Sequence, residues 1–294
     1  MICVFGASGN TGGATAAYLL KNGKKIRVVA RHREKLETLA KAGAECFIGD
    51  LEDKGLVREA LAGAEAAYLL VPPNMATDDF RAYQDRVTET LASGVEAAGV
   101  RYVALLSSVG AQHAQGTGPI VGLHRFEERL KKIHGLNALF IRAGMFMENA
   151  FMSMATIKTQ GLYGSPLPSD APIPFIAASD IGNYAGDRLD RLDFTGTAVV
   201  HLVGPKAVTC NDVVAALGQA VGKSIRYAQV PLDQLEKGMV QGGLNPAVVS
   251  VFMEMYRGAG QGLLTPESGG VVVQAPTAID TWAKRAFAPA YERG

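Results

Sequence analysis

A glycine-rich segment near the start of the chain constrains the fold more than any other feature of the sequence. Directly after the apolar, strand-like run Ile2–Phe5, four glycines lead into a segment with helical periodicity: Gly6, Gly9, Gly12 and Gly13. Glycines at such a junction let a strand turn sharply into a helix, whose free N–H groups and positive dipole end favour a phosphate. The spacing is a variant of the dinucleotide-binding fingerprint. An ordinary glycine-rich turn is the alternative.

This segment supplies the first group of predicted cofactor contacts. We expect a pyrophosphate to be held at the turn and the first turn of the helix. The predicted contacts are Gly6, Ser8, Gly9, Asn10, Thr11 and Gly12.

Short apolar runs alternate with longer helical segments through the first half of the chain, a pattern typical of βαβ units around a parallel sheet. The predicted strands are Ile2–Phe5, Ile26–Ala30, Glu45–Ile48, Ala67–Val71, Tyr102–Leu106 and Ala138–Ile141. The predicted helices are Thr11–Asn22, Glu34–Ala42, Lys54–Ala62, Asp78–Ala98 and Leu123–Lys132. We therefore predict an α/β fold: a doubly wound parallel-sheet Rossmann domain over residues 1–150 and a smaller α/β C-terminal lobe over residues 151–294, partly interleaved with it.

The second half begins with a stretch of four prolines between residues 161 and 174, which excludes helix and central strand there. Such long irregular segments are often functional, so this stretch is a candidate pocket wall or lid. Beyond it, the predicted elements are a helix from Asp180, a strand Ala198–Leu202, a helix from Asn211 capped by Thr209 or Asn211, a strand Ile225–Val230, and helices Asp233–Val240, Pro246–Tyr256 and Thr277–Arg285.

Composition narrows the class of protein. The chain carries 29 Lys and Arg against 28 Asp and Glu, which argues against a dedicated nucleic-acid binder. Three distant cysteines fit neither a disulfide framework nor a metal site, and no apolar stretch approaches the length of a membrane span. The apolar start leaves no room for a signal peptide. We expect a cytoplasmic monomer or homodimer without a metal, membrane or nucleic-acid partner.

The end of the second predicted strand indicates which dinucleotide binds. A carboxylate about 20 residues after the glycine loop holds a free ribose 2′-hydroxyl, whereas arginine accommodates a 2′-phosphate. Here the strand runs into Arg31 and Arg33 with no carboxylate at its end. A guanidinium can bind a phosphate through two hydrogen bonds, so we predict NADP(H) in preference to NAD(H). A solvated basic turn is the alternative.

Further contacts are predicted at the carboxyl ends of other strands, where open α/β sheets bind their ligands. The candidates are Asp50, Leu51, Val71, Pro72 and Ser107. An ordinary loop role is the alternative for each of them.

Several segments together resemble the NmrA-like branch of the atypical short-chain dehydrogenase/reductase family. They are residues 6–13, Arg31, residues 49–51, 105–110 and 141–149, followed in the second half by residues 174–182 and 204–209. The resemblance implies an NAD(P)-binding Rossmann domain whose small C-terminal lobe closes over the nicotinamide end. Members of this branch include quinone and triphenylmethane dye reductases as well as redox-sensing regulators.

The sequence departs from the wider family at its proton-transfer pair. That family uses a Tyr-x-x-x-Lys pair on one helix, and no such pair occurs between residues 100 and 160. Near that place stands His124, which the resemblance puts beside the nicotinamide ribose and which is our candidate catalytic residue. A surface histidine paired with Glu128 is the alternative. The neighbouring Arg125, Glu127, Glu128 and Arg129 are predicted to form a solvated face.

An apolar cluster follows the sixth predicted strand. Methionine and aromatic residues here belong either to the core or to a flexible wall against a flat aromatic substrate. The predicted pocket residues are Met145, Phe146, Asn149 and Phe175.

These features predict an NADP(H)-binding oxidoreductase that passes hydride to a small quinone-like or other electron-poor acceptor, with the cofactor carrying the chemistry. The alternative is a non-catalytic NADP(H)-sensing regulator that acts through a protein partner. A sugar-nucleotide epimerase-like enzyme ranks third, because it would need the Tyr-x-x-x-Lys pair.

Overall fold

The computed structural model describes residues 1–293 and contains twelve strands in that range. They are β1 (Ile2–Phe5), β2 (Ile26–Ala30), β3 (Glu45–Ile48), β4 (Ala66–Leu69), β5 (Tyr102–Ser108), β6 (Asn137–Ala143), β7 (Met145–Phe146), β8 (Leu162–Ser165), β9 (Phe175–Ile176), β10 (Thr197–Val203), β11 (Arg226–Gln229) and β12 (Val272–Gln274).

The α-helices alternate with these strands. They are α1 (Asn10–Lys21), α2 (Glu37–Lys41), α3 (Lys54–Leu61), α4 (Phe80–Ala98), α5 (Ile120–Leu130), α6 (Met154–Gln160), α7 (Ala178–Arg191), α8 (Cys210–Val221), α9 (Leu232–Gln241), α10 (Pro246–Gly260), α11 (Ile279–Trp282) and α12 (Ala288–Arg293). Short 3₁₀ helices span Arg33–Leu36 and Met147–Ser153, and a π turn spans Ala283–Phe287. None of the helices within residues 1–293 has the length and apolarity that crossing a membrane requires.

Eight strands form one parallel sheet in the order β12-β10-β6-β5-β4-β1-β2-β3. The order 3-2-1-4-5-6 within it is that of a doubly wound dinucleotide-binding sheet. Successive strands are added on one side of β1 up to β3 and on the other side from β4 onward, so the strand order reverses between β1 and β4. The predicted α/β doubly wound fold is therefore confirmed. Strands β10 and β12 from the second half extend the same sheet, while β8 pairs with β11 and β7 pairs with β9 in two separate ribbons.

The sheet is covered on both faces because its strands are apolar on both sides. Along β1, Val4 faces a core shared with α1 and α7, whereas Cys3 and Phe5 face a core shared with α3, α4 and α5. A third core lies in the smaller part of the molecule and joins α8 to the C-terminal helices. Full burial of each large apolar side chain contributes about 1.5–3 kcal/mol, so these layers fix the helices on the sheet.

Helices α1 and α7 approach each other more closely than side chains would normally allow. A Cβ atom added at Gly182 of α7 would lie 2.5 Å from the carbonyl oxygen of Thr11 and 2.5 Å from the Cβ of Ala14 on α1. One turn later, a Cβ at Gly186 would lie 2.8 Å from the ring of Tyr18. The two glycines thus let α7 seat directly on α1 and fix its position.

We expect Gly182→Ala to lower the free energy of unfolding by about 2 kcal/mol, because the methyl group must push two backbones apart. The matched control is Gly238→Ala on α9, where an added Cβ would meet no atom within 4 Å. Removing a glycine from a helix without a clash should leave stability unchanged or raise it by up to about 1 kcal/mol. Urea unfolding of both variants measures the difference, and equal stabilities would contradict the role of Gly182.

Candidate functional site

The glycine loop forms a tight turn at the carboxyl end of β1. Gly6 adopts a φ of +66°, and its carbonyl oxygen accepts a hydrogen bond from the N–H of Gly9 at 2.9 Å. A Cβ at Gly12 would lie 2.4 Å from that same oxygen, so only glycine lets α1 begin this close to the turn. The loop therefore places the start of α1 at the switch point between β1 and β4.

The first turn of α1 is open to a ligand. Gly9 is the N-cap residue and provides no side-chain hydrogen bond, and the first turn contains no acidic residue. Ser8, Gly9 and Asn10 are exposed, whereas Thr11 and Gly12 are buried and can contribute only backbone groups to this edge. Uncapped N–H groups at the positive end of a helix are suited to an anion.

The two arginines predicted to select the dinucleotide lie at the neighbouring strand end. Arg31 directly follows β2, and Arg33 begins the short 3₁₀ helix after it. Both side chains are exposed, and neither forms an ion pair within the described residues. Two cations are thus available beside the start of α1.

Other predicted contacts occupy the same edge of the sheet in different environments. The carboxylate of Asp50 accepts the N–H of Glu52 at 3.0 Å, and Leu51 is buried in the core with Phe5 and Val29. Val71 and Pro72 are half-buried after β4.

Ser107 is tied into a buried ion pair. Its hydroxyl donates to Glu127 at 2.6 Å, and the guanidinium of Arg142 binds both oxygens of the same carboxylate at 3.0 and 2.7 Å. The side chains of Glu127 and Arg142 are 0% and 6% exposed. The prediction that Glu127 belongs to a solvated face is therefore wrong. The residue lies on the inward face of α5 with Ile120 and Leu130, and Arg142 compensates its charge.

The same guanidinium reaches the segment that follows α10. Arg142 donates to Glu267 at 3.2 Å, and the N–H of Glu267 donates to Nε2 of the buried His201 at 3.2 Å. Burial, followed by the charge of Arg142, lowers the pKa of His201. The neutral ring that results is consistent with its role as a hydrogen-bond acceptor. Sequence reasoning missed both Arg142 and His201, since each stands in a strand of apolar residues.

His124 lies on α5 beneath the loop that follows β5. Its Nδ1 is 2.8 Å from the carbonyl oxygen of Ala111, and because a carbonyl can only accept, Nδ1 carries the proton. Nε2 is therefore the nitrogen that can bind a ligand. Glu128 pairs instead with Lys131 at 2.6 Å, and this hydrogen bond holds the pKa of Glu128 below its usual value.

The predicted pocket residues differ in their exposure to solvent. Met145 and Phe146 form β7 and are half-buried, Asn149 is exposed on the following 3₁₀ helix, and Phe175 in β9 is 3% exposed within the third core. The burial of Phe175 favours the alternative that it belongs to the core.

Removing one partner of the buried Glu127–Arg142 pair should be strongly destabilising. We expect Glu127→Ala to lower the free energy of unfolding by about 3 kcal/mol or more, because it leaves a buried guanidinium with one half-exposed partner. Asp85→Ala breaks the Arg125–Asp85 pair, whose side chains are each 49% exposed, and should cost less than about 1 kcal/mol. Urea unfolding compares the two variants, and Glu127→Gln provides a smaller change if the alanine variant fails to fold. Equal costs would contradict the compensation of Glu127 by Arg142.

Two curated proteins that are named as reductases are similar to this chain in sequence over most of its length. The chain is 27% identical over 254 residues to the (4-alkanoyl-5-oxo-2,5-dihydrofuran-3-yl)methyl phosphate reductase of Streptomyces griseus, covering 86% of this chain and 85% of the relative. It is 25% identical over 258 residues to the NAD(P)H azoreductase of Xenophilus azovorans, covering 87% and 86%.

A solved structure has the same fold over nearly the whole chain. The NADPH-dependent quinone oxidoreductase of Escherichia coli, crystallised with NADPH, matches with a TM-score of 0.80 at 21% identity over 98% of this chain and 100% of that one. The model of the NmrA-like family matches residues 1–266. As the sequence motifs predicted, the chain belongs to the NmrA-like family.

Proposed function

We propose that this protein is an NADPH-dependent reductase that transfers hydride directly to a quinone-like or other electron-poor acceptor, without a Tyr-x-x-x-Lys pair. One observation carries the proposal. The uncapped start of α1 lies at the switch point of the sheet, and beside it two exposed arginines follow β2 where an NAD-specific site would have a carboxylate.

The residues present fit a dinucleotide phosphate. The absence of a side chain at Gly9 and Gly12 leaves backbone N–H groups of the first turn for the diphosphate. Arg31 and Arg33 would hold the 2′-phosphate, since guanidinium groups bind phosphate through paired, charge-assisted hydrogen bonds. The remaining proposed contacts are Asp50, Leu51, Val71, Pro72, Ser107 and His124.

NADPH supplies the hydride when it is bound. The protein therefore has to position the cofactor and the acceptor and to polarise the acceptor, and it needs no covalent chemistry of its own. His124 is suited to this work because Ala111 fixes its protonated nitrogen as Nδ1. When the ring is neutral, Nε2 can accept a hydrogen bond from a ribose hydroxyl. When it is protonated, Nε2–H can donate to an oxygen of the acceptor as charge develops there.

The named relatives support an acceptor of this kind. One is named as an azoreductase, one as a reductase of a phosphate-bearing unsaturated lactone, and the structural neighbour as a quinone oxidoreductase. Their named acceptors are electron-poor molecules, which need little acid catalysis before they accept hydride. This agrees with the absence of a Tyr-x-x-x-Lys pair between residues 100 and 160.

We expect the purified protein to oxidise NADPH with menadione faster than the protein-free rate and to prefer NADPH over NADH. The double variant Arg31→Gln/Arg33→Gln should weaken NADPH binding about 10- to 100-fold and leave NADH binding unchanged, because only NADPH carries the 2′-phosphate. Lys41→Gln, which removes an exposed cation from α2, is the matched control. NADPH binding without turnover across a panel of quinones would overturn the proposed activity and support the regulator instead.

Replacing His124 separates its two roles. We expect His124→Ala to lower kcat with menadione about tenfold or more while the Kd for NADPH changes less than about threefold. His134→Ala, which removes an exposed histidine, should change neither value. If the effect of His124→Ala were confined to the Kd, His124 would be a cofactor contact and not a catalytic residue.

A further inference from the structure

A groove opens beside the start of α1, at Asn10. Its volume is about 320 Å³, and it lies between the first turns of α1 and α7 and the C-terminal helices. Its lining includes Asn10, Phe151, Ser179, Thr277, Trp282 and Arg285. This volume is at the lower end of the range for sites that take a small organic ligand. Since Asn10 is also part of the proposed cofactor loop, the groove adjoins that site.

The groove has one cation without a partner among the described residues. Arg285 lines it with an exposed side chain that forms no ion pair. The carboxylate in the wall, Glu148, accepts hydrogen bonds from the N–H of Ala178 at 3.0 Å and from the indole N–H of Trp282 at 3.0 Å. Glu148 is thus committed to the wall and does not pair with Arg285, whose guanidinium is available to an incoming anion.

The same groove has an aromatic wall. The rings of Phe151 and Trp282 lie 5.4 Å apart at an interplanar angle of 50°, and Phe151 is only half-buried. The bond to Glu148 fixes the indole of Trp282 in place. Fixed rings beside a free guanidinium suit a ligand that combines a flat apolar body with an anionic group.

We propose that this groove binds the acceptor, and that the preferred acceptors are aromatic molecules carrying a carboxylate, sulfonate or phosphate held by Arg285. The assignment rests on the proposed reductase function, which supplies the hydride. The ring system of the acceptor packs against Phe151, while the hydroxyl of Ser179 and the amide of Asn10 are available to its polar atoms. His124 is not part of the groove lining, so Arg285 and Phe151 hold the anionic end of the acceptor beside Asn10, and the group that is reduced lies beyond the lining.

The test uses a naphthoquinone that carries a carboxylate on a short side arm, with its methyl ester as the neutral match. We expect wild-type protein to favour the acid over the ester in kcat/KM, and Arg285→Gln to reduce this preference at least about tenfold. Arg285→Lys, which keeps the charge, should retain part of it. Lys284→Gln removes an exposed cation from the adjacent position outside the groove and should leave the preference unchanged.

A second readout does not depend on turnover. The chain contains one tryptophan, Trp282, which lines the groove, so saturable quenching of its fluorescence reports binding there. We expect the acid to quench at lower concentration than the ester, with a Kd that rises about tenfold in Arg285→Gln.

The outcomes separate the two proposals. An equal preference for acid and ester, or quenching that does not depend on Arg285, would overturn the groove assignment while turnover of the ester still supported the reductase. Failure to turn over either compound would overturn the reductase, and Arg285-dependent quenching by the acid would then still support the groove as an anion-binding site.

Discussion

The contact between Gly12 and the carbonyl of Gly6 is the constraint on which the proposed site depends. It brings the first turn of α1 against the end of β1, so the uncapped N–H groups lie at the switch point of the sheet. The position is then fixed from the other side, because Gly182 lets α7 pack on the backbone of the same turn. The glycines on α1 and α7 therefore fix the position of the uncapped N–H groups that an anion would approach.

A second constraint acts on the part of the sheet that would lie near the acceptor. Arg142 on β6 binds Glu127 on α5 and Glu267 in the segment after α10, and Glu127 also accepts from Ser107 on β5. Because Arg142 on β6 binds Glu127, it helps to fix α5 against the sheet. His124 is three residues before Glu127 on that helix, so its position depends on the same ion pair. An arrangement of α5 and β6 that separated Glu127 from Arg142 would leave a buried charge without a partner. The pair therefore disfavours other packings of this helix on the sheet.

Local signals predicted much of the fold. The order of apolar runs, helical segments and glycines gave the six strands of the first half and the doubly wound class, because each signal depends on neighbours along the chain. The exceptions depend on tertiary contacts. The sequence around Glu127 predicts a surface residue, because its buried partner Arg142 is fifteen residues away along the chain. Strand β12 was not predicted because it is too short and too exposed to show a strand pattern. The proposed acceptor groove combines residue 10 with residues 148–151, 179 and 277–286, which no local pattern connects.

The near-neutral charge of the chain conceals an uneven distribution at the proposed site. The carboxylates there already accept hydrogen bonds from the protein. Asp50 accepts from the N–H of Glu52, and Glu148 accepts from the N–H of Ala178 and from the indole of Trp282. Asp180 accepts from the N–H and the hydroxyl of Thr277, both at 2.9 Å. Arg31, Arg33 and Arg285 have no such partners among the described residues. The hydrogen bonds engage the carboxylates, while the unpaired guanidinium groups stay available to an anion, although the whole chain carries a net charge of only +1. The positive end of the α1 dipole lies at this edge as well. A phosphorylated cofactor and an anionic acceptor would therefore both be drawn to this end of α1.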